Sequence, residues 1–382
     1  MSEGQPCPRD VEDDDDRCYF HSSRMHKDPA DFIKRFIAEL QRQTEDVEQE
    51  KLDFTRFVFP EFSLPPKTEF RKPARFDAAR FNGETHFREA VFNGEAGFRD
   101  TIFSGHTHFT KSKFTRADFG RAIFSGGAEF GEVTFEIYVS FTRARLGHAD
   151  FRHATFNGNY AYFDDMTLDS HQGFLFATFN GRAMFNGTVF SRGAGLCNAT
   201  FNGSAYFGYA TFVGQNDFQR VVFDGETDFT NATFAGETYF WHATFRKRIE
   251  WREAIVYPGA KLVFLGSEVE SDFWFEDLCY PSTQDATKRY ARLRDAWNRD
   301  EREHAKEAGR SPLPCPLILP EQEFPTKKRD VRIDFRNVAI RQSANVRFQG
   351  VTALDGDGQP DLMGGLDMSK VRLAHTDVSI VA

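Results

Sequence analysis

Side chains able to do chemistry fall into two sets. Cys7, Cys18 and His21, with His26 close by, offer thiolates and imidazoles of the kind that hold zinc. Their spacing, Cys-x10-Cys-x2-His, matches no standard zinc pattern, and the alternative is a flexible acidic tail with unpaired thiols. In the second set, His86, His108, Glu129 and Asp150 recur at nearly even intervals. Imidazoles and carboxylates together could bind a metal or tune a pKa, but only if the chain returns on itself once per interval. Otherwise they make a solvated polar strip. No Gly-rich phosphate loop opens a helix, no nucleophile elbow is present and no His-x-x-x-His metal helix occurs. The expectation is therefore a chain that is not an enzyme, with no catalytic residue, no cofactor-binding residue, no cofactor and no resident metal. Cys7, Cys18 and His21 are the candidate metal ligands.

What would position such residues is visible in one side chain. Phe accounts for 44 of the 382 residues, against 4 Trp and 10 Tyr, and an excess confined to one residue type points to a repeat. From Phe70 the chain reads as a ladder, Phe76, Phe81, Phe87, Phe92, Phe98, Phe103, with steps of five or six residues continuing to Trp251 and Val256. Between Phe76 and Val256 there are 34 rungs, 29 of them Phe. Two residues before each rung stands a small or β-branched residue, as at Ala79, Ala90, Thr101, Ala122 and Ala210. Neither the helical period nor the simple strand period fits this. A four-sided solenoid does, with a very short strand on each side, positions i and i−2 inward and i−1, i+1 and i+2 outward.

Units such as Ala117-Asp118-Phe119-Gly120-Arg121 and Ala154-Thr155-Phe156-Asn157-Gly158 resemble the Phe-centred variety of the pentapeptide-repeat proteins, whose pattern is often written A(D/N)Lxx. The resemblance implies an all-β solenoid, a right-handed quadrilateral β-helix with four pentapeptides per coil. At the strand spacing of about 4.8 Å, the rungs give about 8.5 coils and a rod on the order of 40 Å long. Steps of six recur at every second rung and usually contain a Gly, as in Phe81-Asn82-Gly83-Glu84 and Phe201-Asn202-Gly203-Ser204. They read as bulged corners using glycine's access to positive φ, and bring the coil to about 22 residues. Irregular steps from Phe156 to Phe163 and around Gln172 to Phe176 predict a distorted or protruding loop near Asp164, Asp165 and Asp169.

The ends of such a rod need covers. Asp28-Pro29 supplies an N-cap and a first-turn proline, and Phe32, Ile33, Phe36, Ile37 and Leu40 share one helical face that would lie on the first coil. A second helix is expected over 285–308, with Tyr290, Leu293 and Trp297 on one side and Gly309 as its stop. A Pro-rich linker follows, and then a weaker ladder through Phe335, Ile340, Met368, Leu373 and Val378. The organisation expected is an acidic disordered head over 1–27, an N-terminal helix and cap over 28–69 and the β-helix over 70–256. A helical insert and linker over 257–330 and further β-helix-like coils over 331–382 complete it.

Net charge is −9, concentrated in the head, where Glu12 to Asp16 are all acidic. Residues 71–256 carry 20 acidic and 20 basic side chains. No stretch approaches the roughly 18 consecutive apolar residues of a membrane span and no secretory segment opens the chain, so a soluble, cytoplasmic protein is expected, with no membrane partner. Five scattered cysteines suit a reducing compartment.

Outward positions then decide function. The i−1 residues Lys113, Thr134, Thr155, Thr178, Thr200, Val222 and Thr244 would form a β-branched ladder suited to strand stacking. Tyr162, Met184 and Tyr206 would fall in register on successive coils, bounded by Ser140 and Asp228, and are the candidate protein-binding residues. The alternative is that the C-terminal segment folds back over them. The primary expectation is a non-enzymatic scaffold whose partner is a protein or a second copy of the chain. The resemblance implies an alternative, a DNA mimic that binds DNA gyrase or topoisomerase and protects it from inhibitors. That needs a strongly negative rod, which the balanced charge does not provide. Direct nucleic-acid binding lacks a basic stripe. A metal-binding protein acting through the Cys/His head is the second alternative.

Overall fold

The computed structural model describes residues 18–23, 27–171, 173–257 and 260–276, and short stretches between 294 and 381. Its repeating unit is a strand of two residues followed by a corner. Phe81 stands opposite Phe103, Phe103 opposite Phe124 and Phe124 opposite Leu146, all parallel. One such stack has ten strands, one per turn, running from Val58–Phe59 to Ile255–Val256. The chain is thus a parallel β-solenoid of ten turns along this side. We call its faces A to D, after the successive rungs Phe76, Phe81, Phe87 and Phe92.

Every Phe rung from Phe76 to Phe245 is at most 1% exposed, and Ala79, Ala90, Ala122 and Ala210 at i−2 are fully buried. Each coil therefore closes around four large rings and four small side chains, which is why the ladder needs one size at i and another at i−2. Rings on one face stack nearly parallel, as Phe92 and Phe114 do at 4.7 Å and 6°. Rings on the opposite faces A and C meet edge to face, as Phe98 and Phe109 do at 5.8 Å and 77°, both favourable aromatic geometries. Where a hydroxyl replaces Ala at i−2 it is satisfied inside the core: Thr101 donates to the Phe76 carbonyl at 2.8 Å and Ser112 to that of Phe87 at 2.5 Å.

The corners alternate in kind, and here glycine works differently from expectation. Positive φ falls on non-glycine residues at the corners after faces A and C, such as Ala78 (φ 54), Glu89 (φ 57), Asp100 (φ 58) and Lys111 (φ 60). There Ala79 N–H donates to the Phe76 carbonyl, closing a type II turn. Gly83, Gly105, Gly181 and Gly203, at the six-residue corners, do not have positive φ. They are small because coils touch there: a Cβ on Gly83 would lie 2.8 Å from the Glu61 Cα, and one on Gly105 would overlap the backbone of Gly83. Between faces D and A the strand continues through this corner with a register shift, as at Phe114/Arg116.

The N-terminal helix spans Pro29–Glu45, with Asp28 accepting from the Asp31 N–H. Its buried face covers the first coil, Phe36 lying 4.8 Å from Phe54 and Phe32 5.3 Å from Phe59. Strands reach beyond residues 70–256 in both directions, from Leu52–Asp53 to Phe273–Glu276. Arg332–Asp334 then pairs with Lys261–Val263, Ile340 stands opposite Val269, Leu373 opposite Ile340 and Val378 opposite Val346. The weaker ladder therefore adds coils to the same stack. Phe335 and Met368, the linker, the head up to Arg17, and most of the helix expected over 285–308 lie outside the described residues.

Asp164 and Asp165 do not sit in a protruding loop. They occupy an ordinary corner, Asp165 having φ 55 and Asp164 accepting from Asn186. The distortion is on face C, whose strands stop at Ala149–Asp150 and resume at Asn216–Asp217, with glycines at 173 and 195 between. Backbone bonds from Phe151 to Gly173 and from Phe174 to Gly195 carry the stack across the gap.

Candidate functional site

Face A assembles the aromatic strip. Ser140, Tyr162, Met184, Tyr206 and Asp228 stand in register on successive strands, in the order expected. Tyr162, Met184 and Tyr206 are each half-buried. Among the described residues, the C-terminal strands extend the end of the stack and do not lie over this strip. Two residues the sequence reading missed widen it: Tyr138 and Tyr160 occupy the i−3 positions of the same face. Tyr160 stacks on Tyr162 at 5.5 Å, Tyr138 lies 5.7 Å from Tyr162, and Arg182 sits 5.3 Å over the Tyr160 ring. Burial raises the Tyr138 phenol above its ordinary pKa, so it stays a neutral donor.

Face C assembles the imidazoles and carboxylates. His86, His108, Glu129 and Asp150 are in register on adjacent strands. The His86 and His108 rings are parallel, 4.5 Å apart. Asp150 turns away to Arg152, 2.7 Å from its guanidinium. In its place Glu84 and His106, from the neighbouring i−3 column, complete the group. His108 is central: Nδ1 is 2.7 Å from Glu129 and Nε2 2.9 Å from Glu84, while its side chain is only 7% exposed. His86 Nε2 lies 3.3 Å from the same Glu84 oxygen, and His106 Nε2 3.1 Å from the other oxygen of Glu129. Arg88 Nη2 is 2.9 Å from His108 Nδ1 and 3.8 Å from Glu129. The room for His106 comes from Gly127, with φ 105: a Cβ there would press on the imidazole at 3.1 Å.

Electrostatics follow from this packing. Burial, then the charge of His108, holds His86 below the ordinary histidine pKa. The hydrogen bond from His108 leads in holding Glu84 low. Burial alone would raise Glu129, but His108 and His106 together outweigh it and leave it below the usual carboxylate range. Applying the register rule to i−3 as well as i−1 would have found Glu84, His106, Tyr138 and Tyr160 in the sequence.

The head is half described. Cys18 is buried, with Sγ 3.1 Å from His21 Nδ1, and His21 Nε2 lies 3.2 Å from the Thr55 carbonyl. Cys7 and His26 lie outside the described residues. A cleft of about 260 Å³ beside the first coils is lined by Arg75, Asp77, Arg99 and Asp118. Those charges pair with each other, Arg75 with Asp77 at 3.0 Å and Arg99 with Asp118 at 3.1 Å. Among the described residues no helix is long and apolar enough to cross a membrane.

A family model described as pentapeptide repeats (9 copies) matches residues 66–113, 89–134 and 210–255. No curated protein and no solved structure matches the chain.

Proposed function

Since this chain is a pentapeptide-repeat protein, we propose that it serves as a non-enzymatic, cytoplasmic scaffold that docks a protein partner on face A. The observation that carries this is the strip of Tyr138, Tyr160, Tyr162, Met184 and Tyr206 on a rigid face, Tyr138 exposed and the others half-buried. Tyr and Met are enriched at the cores of protein interfaces and rarely gathered elsewhere on a surface. Their positions are set by backbone register, so little side-chain or loop ordering opposes association. At one end of the strip Asp228 supplies a polar group for the rim.

The reading as a gyrase-directed DNA mimic has less support. A mimic must reproduce the dense negative charge of a duplex, whereas residues 71–256 are neutral and their carboxylates are repeatedly paired with arginine, as in Arg121–Asp100 and Arg246–Asp224. A supercoiling assay showing neither inhibition nor drug protection would retire it.

The scaffold reading is tested by affinity capture with the wild-type chain and with Tyr162→Ala and Tyr206→Ala. A partner held by the wild type and lost from both variants, with the fold intact by circular dichroism, supports it. Equal capture by all three removes face A as the docking surface.

A further inference from the structure

We propose that face C is a binding site for a divalent transition-metal ion of the zinc class, held by Glu84, His86 and His108. The proposal is independent of what docks on face A.

Three observations lead to it. The first is spacing. Ligands 2.0–2.2 Å from a tetrahedral zinc stand roughly 3.3 Å from one another. Glu84 Oε1 is 3.3 Å from His86 Nε2 and 2.9 Å from His108 Nε2, and the three donor atoms lie within 4.8 Å of one another. Two imidazole nitrogens and one carboxylate oxygen also form a donor set that suits zinc and its neighbours better than calcium or magnesium.

The second is what surrounds His108. Its Nδ1 lies 2.7 Å from Glu129, the shortest contact the ring makes. Arg88, at 2.9 Å from the same nitrogen, stands beside Glu129 as its counter-charge. The Nε2 of His108 and that of His86 both face the same Glu84 oxygen. Three ligand-type atoms from two coils thus converge on one point. A carboxylate that fixes the far nitrogen of a ligating histidine is also the usual outer partner in zinc sites. Glu129 has that role here, and His106 steadies its other oxygen at 3.1 Å.

The third is preorganisation. His86 and His108 are in register on adjacent strands. Glu84 stands two positions before His86, so the strand pleat turns both to the same side. Glu84 is half-exposed, which leaves a path from solvent and a fourth position for water. A bound ion would tie one coil to the next.

The test uses the untagged full chain, stripped with chelator and titrated with zinc by calorimetry, with cobalt absorption reporting coordination geometry. A Cys7→Ser background removes one of the three head candidates, leaving only Cys18 and His21 there. One equivalent of zinc bound in that background, lost in His86→Ala and weakened at least tenfold in Glu84→Gln, is the expected result. Glu129→Gln should weaken it 10- to 100-fold, the usual effect of removing an outer partner. Glu84→Gln alters an exposed side chain, so it keeps the test decisive if a histidine variant fails to fold. Absence of stoichiometric zinc binding in the Cys7→Ser background, or binding indifferent to both Glu84→Gln and His86→Ala, overturns the proposal.

Discussion

Gly203 lies directly over Gly181, so close that a Cβ on Gly203 would overlap the Gly181 carbonyl. Backbone-on-backbone contact of this kind cannot be relieved by a side-chain rotation. Gly203→Ala should therefore destabilise the protein by about 1–3 kcal/mol or more, through overpacking. Gly131→Ala is the control: its nearest neighbour would be the Arg152 carbonyl at 3.8 Å, and its φ is not positive. Denaturant unfolding of the two variants should show a lowered midpoint only for Gly203→Ala.

Phe119 stacks between Phe98 at 4.9 Å and Phe141 at 4.8 Å. Phe119→Ala opens a cavity that rigid neighbouring coils cannot collapse, and should cost about 3–5 kcal/mol. Phe119→Leu should cost less than half of that, since Leu146, Leu168 and Leu196 occupy equivalent rungs. Thermal melting of the pair measures the difference. Equal losses would show that ring stacking, beyond filled volume, holds the coil.

Ala78 holds φ 54 at a corner where its side chain has little to gain. A left-handed non-glycine residue is strained by about 1–2 kcal/mol, and glycine relieves this while adding about 0.4–1 kcal/mol of unfolded-state entropy. Ala78→Gly should thus stabilise slightly, by under about 1.5 kcal/mol, seen as a raised unfolding midpoint.

Acid should weaken the His/Glu cluster from two directions. His86 is held below its ordinary value near 6.5, so the unfolded chain takes up the proton first and stability falls as pH drops through that region. Glu129 is held below the carboxylate range, so its contribution is complete above that range and is lost on further acidification, as pH approaches its folded value. Unfolding midpoints measured from about pH 8 to about pH 4 should decline throughout. His86→Asn should flatten the upper part of that decline and leave the lower part. A profile unchanged by the variant would place the pH sensitivity elsewhere.

The ladder was legible because burial repeats one residue type at one interval, and Phe76 to Val256 needed no other information. The register of His86 with His108, and of Tyr162 with Met184 and Tyr206, followed from the same count. What escaped was anything that depends on how two coils touch. The glycines of Asn82-Gly83 and Asn202-Gly203 looked like residues chosen for φ, while the strained φ values fall on Ala78 and Glu89. Glu84 and His106 were missed because only one outward column was aligned. The turn of Asp150 toward Arg152 depends on a side-chain rotamer, which spacing does not specify.

Because glycine rests on glycine and ring on ring, the molecule has translational symmetry along its axis. Its length is a discrete variable. Removing or duplicating a whole turn preserves every column, whereas a single inserted residue breaks all of them beyond that point. Neighbours on a face are a full turn apart in the chain, so a surface motif such as Tyr162-Met184-Tyr206 has no contiguous sequence signature. Such a motif can be lengthened, cut or moved along the rod by exchanging turns, while the interior stays the same.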